Sequence, residues 1–455
     1  MNTNQKVGVK AKSSIFLGFF TQALLNAIIT GYFMYFGTDV LALPAMALSN
    51  ILLISKLFDG ATDIGMGFVI DKTKSKQGKA RPWILRSIVP FAMFCVLLFA
   101  APQSLSNGMK LVWLFVTYNL YALAYTALGI SMNTLNIRLT KNEKEVNSLS
   151  TIIIAGSVGG TIVINFIAVN VLTALSGGSQ FTQGGFIKLT VILGIASVLG
   201  GLSTYFTTKE VQDDPALEQG QAKVGTFDGL KSLFTNKYWV IQLCNSLFIY
   251  FALTARLSAM IYYAQYVLGN AGLIPILVVA ENLPVLLVMP VALQLCNKFG
   301  KKKVSVIGLI GAILCYGFMI LNLHNFSLFI VGTIVKGLCM SPIQAIGNAF
   351  IVDSVEYGEW KTGVRAEGMA FSAISFSQKV SQGLSNVVIG WILTFTGYVA
   401  NAAQQTTSAT NGIIFLYVGI TLICTIGQLV IFLIYDLDKK MPQIRKELAE
   451  KKTEN

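Results

Sequence analysis

Lys56-Leu57-Phe58-Asp59-Gly60-Ala61-Thr62-Asp63 interrupts an apolar run that reaches from residue 44 to residue 70. A run of that length is read as a bilayer-spanning helix. Asp59 and Asp63 are four residues apart, so on a helix both carboxylates share one face. On insertion scales each ionised Asp at bilayer depth costs about 2.5–3.5 kcal/mol, so two together demand a compensating partner. The simplest partner is a cation or a proton. The stretch therefore predicts a membrane helix that carries a coupling-ion site.

The rest of the chain agrees with a membrane reading. Of the 455 residues, 54% are hydrophobic and 12% are charged. That charge fraction is about half the soluble average. Twelve apolar segments are long enough to span, near 14–42, 44–70, 83–103, 109–138, 148–174, 186–208, 237–268, 271–297, 303–324, 326–352, 366–397 and 410–436. The expected fold class is an all-α membrane protein of twelve transmembrane helices in two six-helix halves.

The net charge of +13 is a topology signal rather than a nucleic-acid footprint. All but six of the 34 basic residues fall in the N-terminal segment, alternate loops or the C-terminal tail, as with Lys72, Lys79, Arg81 and Arg86 after the second span. The intervening loops 173–187 and 397–409 carry none. The positive-inside rule then puts both termini in the cytoplasm of a cell (inner or plasma) membrane protein. The basic start, Lys6, Lys10 and Lys12, precedes a run too long for a signal peptide and without a small-residue cleavage site. The six cysteines lack metal-ligand spacing and read as packing residues. The only histidine, His324, falls in a short outer loop, which argues against a histidine proton relay.

The longest polar stretch, 209–236, divides the chain into an N-terminal half (1–208) and a C-terminal half (237–436), followed by a cytoplasmic tail (437–455). A weak repeat supports the division: Gly67-Phe68-Val69-Ile70-Asp71 with Gly78-Lys79-Ala80-Arg81 ends span two, and Asn297-Lys298-Phe299-Gly300-Lys301-Lys302-Lys303 ends span eight. Two six-span halves related by an axis along the membrane normal are the major facilitator layout, with a substrate cavity near the midplane. Gly156, Gly159 and Gly160 in span five suit close helix packing.

Charges inside the spans narrow the site. Asp59 and Asp63 read as cation ligands, with Thr62 and Thr126 as hydroxyl partners; oxygen ligands suit a hard cation such as Na⁺. The plainer reading is an ion pair with Lys56 or Lys379. Arg256, Lys336 and Glu281 are equally deep and read as a structural pairing or as substrate contacts. Gln22, Asn26, Asn119, Tyr125, Asn133, Gln344, Ser375 and Gln378, together with Lys379, supply hydrogen-bonding groups for a hydroxyl-rich ligand, and Trp391 a face for sugar stacking. Each of these also reads as an interhelical contact or interface anchor. The mixed-charge run from Asp353 to Gly368 reads either as a solvated loop or as a charge lock at a cytoplasmic gate. Its Asp353, Glu356, Arg365 and Glu367 would act with Asp71, Arg81 and Lys144.

These residues resemble the glycoside–pentoside–hexuronide:cation symporters, the melibiose-permease-like and glucuronide-carrier-like branch of the major facilitator superfamily. The resemblance rests on Tyr35-Phe36-Gly37-Thr38-Asp39-Val40, Phe58 to Asp63, Gln77-Gly78-Lys79-Ala80-Arg81-Pro82-Trp83, Asp353 to Glu359 and Gly363 to Gly368. It implies that Asp59, Asp63 and Thr126 hold the cation and that Lys379 links cation and sugar sites. Thr62 stands where the melibiose carrier has an asparagine. Ala23, Gly129, Ile154 and Asn133 replace its galactoside-binding aspartates, an arginine and a sugar-stacking tryptophan. The galactoside pocket is thus not carried over.

The expected activity is import of a glycoside or oligosaccharide coupled to Na⁺ or H⁺ by alternating access, in a monomer with no cofactor beyond that ion. An anionic substrate such as a hexuronide is the alternative, with a lysolipid behind it. A non-transporting sensor would be expected to carry a soluble domain, and the tail after Asp438 is short. No P-loop, dinucleotide fingerprint or catalytic constellation supports an enzyme.

Overall fold

The computed structural model describes residues 7–73, 75, 77–140, 143–178, 181–210, 233–323, 325–363 and 367–454. His324, Arg365 and most of the polar stretch 209–236 lie outside these residues, as do the side chains of Asp71, Lys144 and Glu367. The described residues form helices and no strand. In chain order they are α1 (Val9–Tyr35), α2 (Ala45–Asp71), α3 (Arg81–Phe99), α4 (Asn107–Arg138), α5 (Glu143–Ser176) and α6 (Gln183–Thr207). Then follow α7 (Lys237–Tyr262), α8 (Ile274–Phe299), α9 (Lys301–Leu321), α10 (Phe326–Thr362) and α11 (Glu367–Phe395). The last span, α12, runs as Thr407–Ile414, a π-helical turn Phe415–Gly419 and Ile420–Ile434. A short α13 (Met441–Glu454) ends the chain.

Ten of these segments are long and apolar enough to cross a membrane. The remaining two spans, α2 and α11, carry the intramembrane charges Lys56, Asp59 and Asp63, and Lys379. The protein is therefore an all-α membrane protein of twelve spans, each within a few residues of its expected place. One boundary differs by nearly three turns. Hydropathy ends span ten at residue 352, whereas α10 continues to Thr362. The run Asp353–Thr362 is thus helical rather than a loop. Its ending is local: Gly363 takes a left-handed φ of 73° and returns its N–H to the Glu359 carbonyl at 2.8 Å, the usual glycine stop.

The chain packs as two compact units. The first holds Met1–Gly220 with Met260–Pro275 and Asn386–Thr410, and the second holds Gln221–Ala259, Ile276–Ser385 and Asn411–Asn455. Packing thus assigns the last turns of α7 and α11 to the first unit. In that unit α1 lies along α5 and α6, α3 along α4 and α6, and α2 along α4. Two of the three span-five glycines make the α1–α5 approach possible. A Cβ on Gly156 would stand 2.7 Å from the Phe16 carbonyl oxygen, and one on Gly160 2.3 Å from that of Phe20; Gly159 meets ordinary contacts. In the second unit α9 packs on α10 and α12, and α13 closes one end by burying Met441 and Ile444 against Tyr238, Phe350, Phe432 and Tyr435.

Candidate functional site

The acids of α2 converge with α4. The Thr126 hydroxyl lies 2.7 Å from Asp63 Oδ1 and 3.1 Å from Asp59 Oδ1. A hydroxyl has one proton to donate, so it satisfies one ionised carboxylate at a time, and the other acid bonds to its oxygen only in the protonated form. The two carboxylate oxygens are therefore no more than about 6 Å apart, the range in which like charges disfavour each other. Asp59 is 5% exposed and Asp63 half-buried. Lys56 sits one turn away, with Nζ 3.8 Å from Asp59 Oδ2 and 5.9 Å from the centre of the Tyr118 ring. Two acids thus share one hydroxyl, with a base one turn away. The Thr62 hydroxyl donates to the Asp59 main-chain carbonyl at 2.9 Å, which leaves its lone pairs. Carboxylate and hydroxyl oxygens are the donor set of a hard cation, and these residues fit one.

Polar groups continue from this point along α1 and α4. Gln22 is buried, with its amide nitrogen 3.7 Å from where a Cβ on Gly129 would stand. The Tyr121 hydroxyl donates to Asn26 at 2.7 Å, and Tyr121 stacks on Tyr125 with ring centres 6.0 Å apart. The Asn119 amide donates to Ser55 Oγ at 2.9 Å, while its own oxygen is buried without a hydrogen bond. Asn133 donates to the Gly129 carbonyl from an exposed position. In the second unit, on α11, Ser375 is exposed and Gln378 and Lys379 are partly buried. Trp391, in the first unit, is 45% exposed beside Phe395.

The second unit has a cavity of about 380 Å³ between α7, α8, α9, α10 and α12. Arg256, Glu281, Lys336 and Gln344 line it. Glu281 is met by Arg256 Nε at 3.1 Å and Lys336 Nζ at 3.4 Å, and accepts from the Tyr417 hydroxyl at 3.2 Å. The structural pairing read for Arg256, Lys336 and Glu281 is present. Tyr417 was not foreseen, since nothing in its own segment marks it.

The gate candidates with described side chains bond within their own units. The Arg81 guanidinium donates to the Tyr205 carbonyl at 2.9 Å and lies over the Tyr205 ring. The main-chain N–H groups of Lys79, Ala80 and Arg81 all donate to the Glu210 carboxylate, at 2.9, 2.8 and 2.7 Å. A helix start is a ready anion site, and here a carboxylate of the chain fills it. Gly78 is required beside it: its φ is 101°, and a Cβ would stand 2.3 Å from Glu210 Cδ. Asp353 pairs with Lys301 and with Arg445, the latter at 2.9 Å, and Arg445 also meets Glu356 at 2.8 Å. The hydrogen bond to Glu356, then the charges of Glu356 and Asp353, hold the Arg445 guanidinium further above its usual range.

A tie that sequence reasoning missed joins the end of α1 to the ends of α7 and α11 in the first unit. Asp39 accepts from the hydroxyls of Tyr266, Tyr398 and Thr38, with Tyr398 at 2.7 Å, and the Asn401 amide donates to the Asp39 carbonyl. Its signal is a repeat. Tyr35-Phe36-Gly37-Thr38-Asp39-Val40-Leu41 and Tyr262-Tyr263-Ala264-Gln265-Tyr266-Val267-Leu268 match at the first and last two positions. Both form a π-helical turn closed by the same bond, Leu41 N–H to Phe36 and Leu268 N–H to Tyr263, each 3.0 Å. They also meet each other reciprocally: Tyr35 donates to Gln265 at 3.0 Å, and Tyr262 lies 2.8 Å from Thr38.

All six cysteines are free thiols. Among the described residues no group of three or more His, Cys, Asp or Glu could hold a metal ion.

The family model described as MFS/sugar transport protein matches residues 14–439. The chain is 32% identical to an isoprimeverose transporter of Lactiplantibacillus pentosus, over 93% of this chain and 88% of that one. It is 26% identical to a putative glycoside/cation symporter, YagG, of Escherichia coli (strain K12), over 91% and 89% of the two chains. The crystal structure of the nucleoside transporter NupG superposes with a TM-score of 0.63 at 17% identity, covering 94% of this chain and all of that one. That likeness shows the shared fold.

Proposed function

From the premise that the chain belongs to the MFS/sugar transport protein family, a family of membrane transporters and not enzymes, we propose that it carries a small glycoside across the membrane by cation-coupled symport. The observation that carries this reading is the meeting of two carboxylates on one hydroxyl, Thr126, inside a membrane span. Two ionised acids within about 6 Å at membrane depth repel each other, so the carrier with the site filled by Na⁺ or H⁺ is the more stable one. Asp59, Asp63 and Thr126 hold the ion, with Thr62 able to contribute a lone pair. Gln22, Asn26, Asn119 and Tyr125 extend from the ion toward a hydroxyl-rich ligand and orient it by hydrogen bonds.

Coupling then follows from linkage. If the filled site orders the neighbouring helices, sugar binds more tightly to the ion-loaded carrier, and the ion more tightly to the sugar-loaded one. Such coupling amounts to about 1–3 kcal/mol and is reciprocal. The relatives named for isoprimeverose and for glycosides support a glycoside as the solute. The basic loops support cytoplasmic termini.

The test is uptake by purified protein in proteoliposomes under an inward Na⁺ or H⁺ gradient, with a panel of labelled xylosides, glucosides and galactosides. Concentrative uptake of one of them under one gradient is expected, and its loss in Asp59→Asn. Undiminished accumulation in that variant would sink the coupling role.

A further inference from the structure

We propose that the cavity of the second unit is an anion-binding site, in which Arg256 and Lys336 receive the charged end of a small monoanion beside Glu281. Three observations carry this. The first is charge. Arg256 is permanently cationic, and with Lys336 it sets two positive charges against the one carboxylate of Glu281. The other polar groups of the cavity wall among the described residues are amides, hydroxyls and phenols. One positive charge is left over inside a membrane span, where an uncompensated charge is costly. A single negative charge brings the cluster to neutrality.

The second observation is geometry. Arg256 Nε lies 3.1 Å from Glu281 Oε2, yet neither atom makes an aligned hydrogen bond, and both are buried. Lys336 stands 3.4 Å from Oε1, longer than the ~2.7–2.9 Å of a charge-assisted bond. Glu281 Oε1 accepts from Lys336 and Tyr417, while Oε2 and Arg256 Nε face each other without an aligned bond. A buried pair that serves packing alone is stabilising only with excellent geometry and satisfied hydrogen bonds, and the Arg256–Glu281 side of this one lacks an aligned bond.

The third is space and a further donor. The cavity of about 380 Å³ lies within the usual range for small-ligand sites, roughly 300–1,000 Å³. Gln428, 2% exposed, lines it with its amide oxygen unpartnered. A half-turn of that amide presents N–H groups in place of the oxygen.

The ligand chemistry is one negative charge on a compact acceptor. It comes either from an acid group on a carried sugar or from a free inorganic anion. The site goes beyond the ion-coupling role of Asp59 and Asp63 and shares no residue with it, so the failure of either leaves the other standing.

The test uses full-length protein in detergent, at fixed Na⁺ and ionic strength, titrated with chloride, glucuronate or glucose against a bulky buffer anion. Thermal unfolding and calorimetric binding are read. A saturable rise in Tm with chloride or glucuronate, and none with glucose, is expected. Saturation by chloride identifies a free anion as the source; saturation by glucuronate alone identifies an acid group on the sugar. Lys336→Met and Arg256→Gln each leave a neutral cluster and lose the response. Glu281→Gln leaves two cations and tightens the anion by about tenfold or more. No saturable anion response in the parent protein, or the same response in Lys336→Met, overturns the proposal. If Glu281→Gln does not fold, the two neutral-cluster variants still decide.

Discussion

The two buried charge clusters are opposites. In the first unit Asp59 and Asp63 meet on the Thr126 hydroxyl, with Lys56 beside Asp59. In the second, Glu281 faces Arg256 and Lys336, one acid against two bases. The first crowds like charges together, and the second is one negative charge short of balance, inside segments where both are costly. The acid-rich cluster also draws its oxygens onto one hydroxyl, whereas the base-rich cluster borders a cavity. A cluster left one charge short is a request for a ligand of the missing sign. Reading the sign of the remainder is therefore more informative than counting salt bridges.

The sharpest way to break the contrast is at its acid pole. Asp59→Asn and Asp63→Asn should each abolish ion-driven accumulation while leaving the fold intact, read by counterflow against gradient-driven uptake in the same liposomes. Next in size, Glu281→Leu leaves two buried cations unopposed and should cost about 3–5 kcal/mol of stability, whereas Lys336→Leu, which leaves a balanced pair, should cost distinctly less. Comparing the two Tm values in anion-poor buffer checks this; equal losses would mean that charge balance is irrelevant there. Thr126→Val removes the shared hydroxyl but neither acid. It should raise the activating cation concentration by about tenfold, the worth of one hydrogen bond to a charged group, measured as the half-saturating Na⁺ or proton concentration. The smallest effect is expected at Arg445→Ala. Its partner Asp353 is also served by Lys301, and its half-exposed ion pairs should contribute about 1 kcal/mol or less, seen as a small shift in Tm.

What was legible in the sequence follows from range. Spans are written locally, in runs of apolar residues, and the twelve segments appear where expected. The Asp59/Asp63 pair is legible because four residues is one helical turn. The end of α10 is not, because hydropathy reports where the membrane stops and not where backbone hydrogen bonding does. Glu210 clamping the start of α3, and Tyr417 on Glu281, depend on contacts spanning some 130 residues that no local pattern encodes. The sequence reading had Arg256, Lys336 and Glu281 as three deep charges. It did not reveal that they share one cavity, since α7, α8 and α10 bring them together only through packing.

The paired π-helical turns at Phe36–Val40 and Tyr263–Val267 have a mechanical consequence. Because the same heptapeptide pattern occurs twice and each copy grips the other, the tie has two equal catches arranged head to tail. A pull that loosens Tyr35 from Gln265 bears equally on Tyr262 and Thr38. The ends of α1 and α7 therefore part as one event, in the manner of a two-pronged plug, with Asp39 as the pin between the prongs.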